Sequence, residues 1–145
     1  MLKPLMTGYT LAASIFLASV CTLMAQGIQA SEAKTAGLAP QTSKALGVTV
    51  TVAPLSLSNK AKSWDFEITL ESHTQALSDD LIASSILIGD GKQATPLDWE
   101  GTPPGSHHRK GLLRYKPISP APQSLELRIK RTGEPIPRSF RWRLK

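Results

Sequence analysis

Apolar and polar residues alternate with a period of two through most of the C-terminal two thirds of this chain. Val48, Val50 and Val52 alternate with Thr49 and Thr51. Trp64, Phe66, Ile68 and Leu70 alternate with Asp65, Glu67 and Thr69. Leu125, Leu127 and Ile129 alternate with Glu126, Arg128 and Lys130, and Phe140, Trp142 and Leu144 with Arg141 and Arg143. Successive side chains of a strand point to opposite faces, so this pattern marks half-buried strands. Lys110–Tyr115 adds a strand with Leu113 and Tyr115 inward, and Ala94–Trp99 a shorter one. Leu81–Ile88 is apolar on both faces, as a central strand would be. It can also open as a helical turn behind the capping residues Ser78 and Asp79.

Turn residues separate these segments: Ser58-Asn59, Ser78-Asp79-Asp80, Gly89-Asp90-Gly91, Pro103-Pro104-Gly105, Pro117–Pro122 and Gly133–Pro137. Proline, which cannot donate to a ladder, is concentrated in them. Seven short strands with this punctuation predict an all-β fold: a seven-stranded antiparallel immunoglobulin-like sandwich spanning residues 48–145. That order sets the second strand (Trp64–Leu70) beside the fifth (Lys110–Tyr115), and the sixth beside the seventh. Asp65 and Glu67 would then face Arg114 and Lys116.

The first thirty residues have a different pattern. One cation, Lys3, precedes an uncharged apolar run from Leu11 to Met24. The run is shorter than the roughly 20 residues that span a bilayer. Small residues follow it, with cleavage options at Ala25-Gln26-Gly27 and Ile28-Gln29-Ala30. This is the layout of a signal peptide over residues 1–30, and it predicts a periplasmic or secreted protein. An uncleaved anchor and lipidation at Cys21 are the rivals. Val20 in front of Cys21 is too bulky for a lipidation signal. Residues 31–47 are polar, carry Pro40 and lack alternation, so they read as a flexible tether.

Cys21 is the only cysteine. A processed chain therefore has no internal disulfide, thiolate metal site or cysteine nucleophile. All three methionines also lie in the first thirty residues, leaving no soft thioether ligands for cuprous copper. No nucleophile elbow, P-loop or G-x-G-x-x-G motif occurs. The expectation is a non-enzymatic binding or accessory module.

Two features carry candidate chemistry. The histidines fall in two short segments, Glu71-Ser72-His73-Thr74 and Gly105-Ser106-His107-His108-Arg109. Imidazole is a common ligand for zinc and copper. Continuing the fifth strand backward puts His107 inside and His108 outside. His73 ends the neighbouring strand, so His73, His107 and His108 form a candidate copper or zinc site, with Asp79 or Asp80 adding an oxygen. The alternative is that they bond backbone at the mouth of the sandwich.

The second feature is charge. The chain has a net charge of +6, unevenly spread. Residues 31–100 hold five basic and nine acidic side chains, residues 101–145 eleven and two. Arg128, Lys130, Arg141 and Arg143 all alternate with inward residues and share one face. They form a candidate anion-binding surface for an anionic envelope component or an acidic protein, against the alternative of a solvated edge. Nucleic acid is not expected, because Phe140 and Trp142 point inward and leave no aromatics to stack bases. Membrane contact is expected only if the N-terminal segment is retained.

Ser72-His73-Thr74, Trp99-Glu100-Gly101, the Gly105–Gly111 turn and Phe140-Arg141-Trp142 together resemble a group of small exported bacterial proteins of unassigned function. These proteins show a T-H-S segment, W-x-G, a G-G-H-H-R-x-G turn and a closing aromatic-R-W strand. Here Ser106 replaces a glycine, and Ser72 and Thr74 are exchanged. The resemblance covers Trp64 to Leu144. It implies an immunoglobulin-like exported domain and no particular activity.

Overall fold

The structure is a computed structural model, described here for residues 38–144. The expected signal peptide, Cys21 and the first part of the expected tether lie outside the described residues. Strands form where the alternation predicts them: β2 (Val48–Ser56), β3 (Trp64–Ser72), β7 (His108–Tyr115), β8 (Ser124–Ile129) and β9 (Arg138–Arg143). Leu81–Ile88 divides. Leu81–Ser84 is a single helical turn, α1, and Ser85–Gly89 is β4. The cap is Asp80, whose carboxylate accepts from the Ile82 and Ala83 N–H groups.

Among the described residues nine strands replace the expected seven. The Ala94–Trp99 candidate is two strands, β5 (Lys92–Ala94) and β6 (Pro96–Gly101), in different sheets. Pro96 has no N–H to donate and opens the second piece, a position that proline tolerates. Gln41–Ala45 is β1, within the segment read as a tether. Its sequence, QTSKA, has no apolar alternation because no large side chain of β1 enters the core. Its backbone ladder with β2, from Gln41↔Val52 to Ala45↔Val48, holds it in place.

All pairings are antiparallel. One sheet has the order β1-β2-β3-β7-β6 and the other β5-β4-β8-β9. The two expected neighbour pairs are present. Phe66 lies opposite Leu113 in β3–β7, and Leu127 opposite Phe140 in β8–β9. The inner faces share one core, in which Val50, Trp64, Phe66, Ile68, Leu113, Tyr115 and Leu127 are fully buried. Phe66 joins the layers. Its ring meets Tyr115 edge-on and Trp142, from the other sheet, each at 5.8 Å between centroids. This is a two-layer, β-sandwich arrangement with an all-β core.

Candidate functional site

One end of the molecule gathers the β1–β2 turn, the loop from His73 to Asp80, the β6–β7 loop and the β8–β9 loop. The histidines lie there. The Ser72 N–H donates to the His107 carbonyl at 2.9 Å, so the two histidine segments meet through their backbones. Their side chains all face outward. His107, expected inside, is exposed. The β7 ladder begins at His108, and the Ser106 hydroxyl donates to the His108 carbonyl, turning the chain before His107 can follow the strand's alternation. His108 Nδ1 lies 3.2 Å from a Glu71 carboxylate oxygen, across the Glu71↔His108 register pair. Among the described residues, no group of three or more His, Cys, Asp or Glu side chains is placed to hold a metal ion.

The residue that the His-His turn delivers to the interior is Arg109, only 1% exposed. Its Nη1 donates to the carbonyls of Asp79 (2.7 Å) and Leu77 (3.3 Å), and its Nε to that of Thr102 (3.3 Å). Its guanidinium lies 5.6 Å from the Trp99 ring centroid. Desolvation lowers the Arg109 pKa, and the Asp79 and Asp80 charges oppose that shift. Gly101 and Gly111 make room for the ring. A Cβ on Gly101 would sit 2.5 Å from Gly111 Cα and 2.8 Å from the Trp99 ring. Trp99, Gly101, Arg109 and Gly111 are thus one packed unit that fastens the β6–β7 hairpin to the β3–α1 loop.

A second buried network lies at the same end. Asp79 accepts from Arg131 at 2.9 Å and from the Thr132 N–H at 3.0 Å. Arg131 also reaches Glu134 at 3.1 Å, and Glu134 accepts from Arg138 Nε at 2.9 Å. Arg138 then donates to the carbonyls of Ser43, Ala45 and Val48, each at 2.9 Å. Asp79, Arg131, Glu134 and Arg138 are all buried. Arg138 holds the Glu134 carboxyl below the usual carboxylate range, with Arg131 contributing, although burial opposes this. In the sequence, Arg131 and Arg138 are legible only as part of the basic C-terminal region, and Asp79 as a helix cap or an oxygen for a metal. The remaining signal was the spacing of Glu134 between two arginines, three and four residues away.

The basic face stands as expected. Arg128, Lys130, Arg141 and Arg143 are exposed and project from the outer side of the β5-β4-β8-β9 sheet. Glu126 lies among them. It accepts from Arg128 Nε (2.9 Å) and Nη2 (3.0 Å), from Arg141 Nη2 (3.0 Å) and from the Ser139 hydroxyl. Arg128 foremost, then Ser139 and Arg141, pull the Glu126 pKa down to about 2 against a smaller opposing effect of burial. Lys130 and Arg143 make no ion pair among the described residues. Half-buried Ile86 and Ile88 of β4 lie opposite Arg128 and Glu126 on the same face.

The free edge of β9 is occupied by a side chain. Gln41 of β1 donates its amide N–H to the Arg141 carbonyl and accepts from the Arg141 N–H at 3.0 Å. The amide imitates a neighbouring strand and closes the edge at its middle, which blunts edge-to-edge pairing. No protein-family model matches the chain, and neither a curated protein nor a solved structure is significantly similar to it.

Proposed function

We propose that this chain is an exported, non-enzymatic binding module of immunoglobulin-like strand order. Its ligand is an anionic envelope component, bound on the outer face of the β5-β4-β8-β9 sheet. The observation that carries the reading is the composition of that face. Arg128, Lys130, Arg141 and Arg143 share it with the Glu126 carboxylate, and Asp90, bonded to Ser124 opposite Arg143, stands at its rim, so cations outnumber carboxylates there. Like charges on paired strands work against folding. A face built this way gains stability when an anion lies over it. Ile86 and Ile88 of β4 add apolar area beside the cations, and the extended arginine and lysine stems widen it. The apolar run at the N-terminus supports export, and the motif around His107 and His108 supports the likeness to small exported proteins.

Dextran sulfate is a suitable polyanion for the test. Binding should weaken as salt rises, since the screening length falls from ~10 Å at 0.1 M to ~3 Å at 1 M. Lys130→Glu with Arg143→Glu should abolish binding without lowering the melting temperature, because neither side chain makes an ion pair among the described residues. Equal binding by that variant, or none by the parent at low salt, overturns the reading.

A further inference from the structure

The two most exposed large apolar side chains of the described residues are Ile136 (74%) and Leu46 (62%). Both stand on the loop end, and neither position is explained by folding. Leu46 and Gly47 form the β1–β2 turn with φ of 47° and 74°. Such turns favour Asn or Gly, and a bulky side chain at positive φ is strained. Leu46 thus costs conformational energy and adds nothing to the core. Ile136 lies between Pro135 and Pro137, which stiffen the segment around it.

The two loops are locked together beneath these side chains. Arg138 bonds the Ser43, Ala45 and Val48 carbonyls on both sides of the Leu46 turn, and the same guanidinium holds Glu134 of the Ile136 loop. Ser72 Oγ donates to the Gly47 carbonyl at 3.0 Å, and Gln75 Nε2 donates to that of Leu46. A rigid mount loses little conformational freedom on docking. Exposed Lys44 precedes Leu46 by two residues, and exposed Lys130 stands at the base of the Ile136 loop. The nearby exposed carboxylates are engaged, Asp80 by the α1 N–H groups and Glu71 by His108.

We propose that this end is a membrane-docking tip. Leu46 and Ile136 enter the interfacial layer of an anionic bilayer, and Lys44 and Lys130 meet its headgroups. Two protruding side chains are too small an area for a stable protein interface, which takes about 800 Å² from each partner. They suit an interface that receives single apolar groups beside cations. The contact does not need the N-terminal apolar run, and of the basic face it uses Lys130 alone.

The test uses exported protein and vesicles of phosphatidylcholine mixed with phosphatidylglycerol. Leu46→Asn with Ile136→Ser should weaken vesicle binding by about tenfold or more, since two apolar side chains lose their burial. Asn suits the turn, so the melting temperature should hold or rise, and dextran sulfate binding should match the parent's. In a Cys21→Ser background, an environment-sensitive dye on Ile136→Cys should shift to the blue with vesicles. The same dye on Asn59→Cys, in the β2–β3 loop, should not. The proposal is overturned by equal vesicle binding of parent and variant, by no binding of the parent, or by dye shifts that do not distinguish the two positions.

Discussion

The two outer faces of this molecule handle charge in opposite ways. On the β1-β2-β3-β7-β6 sheet the charges answer one another across strands. Lys110 meets Glu67 at 3.1 Å, and His108 meets Glu71. Arg114 lies among Asp65 (3.8 Å), Asp98 (3.1 Å) and Glu100 (2.5 Å). On the β5-β4-β8-β9 sheet the Glu126 carboxylate is shared by two arginines, and Lys130 and Arg143 make no ion pair among the described residues. Compensation of the first kind supports the fold locally. The second arrangement leaves an excess of positive charge that local ion pairs do not offset, and the proposed anion binding rests on that difference.

The largest effect should come from the core that both faces share. Phe66→Ala or Trp142→Ala should cost ~3–5 kcal/mol in chemical denaturation. Total stability for a domain of this size is ~5–15 kcal/mol, so either variant approaches the margin. A loss below ~0.5 kcal/mol would be surface behaviour and would separate the two sheets as independent layers.

Next in size is the buried network that joins the loop end. Glu134→Gln removes the carboxylate between Arg131 and Arg138 and leaves buried cations underpaired. The expected cost is ~3 kcal/mol, at the lower end for a broken buried pair. Its pH dependence has a definite sign. Glu134 and Glu126 both have folded-state pKa values below the ordinary 4.5. Each contributes stability that is present above 4.5 and is lost as pH falls toward the folded value, about 2 for Glu126. Stability should therefore decline below pH 4.5, and Glu134→Gln should make that decline shallower. An unchanged slope of melting temperature against pH would show that these carboxylates are not held by their arginines.

The smallest effect tests the contrast between the faces directly. Arg114→Ala should cost a small, salt-sensitive amount of stability, since one guanidinium serves three solvent-accessible carboxylates. Arg143→Ala should change stability by less than ~0.5 kcal/mol, or raise it slightly, because it relieves repulsion. Both are read by urea unfolding at low salt and again at high salt. Equal losses would erase the distinction between a compensated face and an open one.

Local alternation was sufficient to place the core strands and their inward residues, because a period of two admits one buried face. The β3–β7 and β8–β9 pairings followed from the expected sandwich order, and strand parity placed Arg128, Lys130, Arg141 and Arg143 outward. β1 was illegible because QTSKA buries no large apolar group, and its strand exists only through the ladder on β2. The split at Thr95 was not legible, since Ala94–Trp99 reads as one strand and only tertiary pairing decides which sheet each piece joins.

The charged residues divide in the same way. Arg128, Lys130, Arg141 and Arg143 could be read from sequence because exposure follows from strand parity alone. The histidine segments could be read as neighbours, but the outward turn of His107 depends on where the β7 ladder begins. Arg109, Arg131 and Arg138 look like any other cations of a basic C-terminal region. Only the tertiary structure decided that they are buried. A guanidinium can leave water only where carbonyls and carboxylates from distant segments converge on it. Those partners, Leu77, Asp79 and Thr102 for Arg109 and the β1–β2 hairpin for Arg138, come together only in the folded chain.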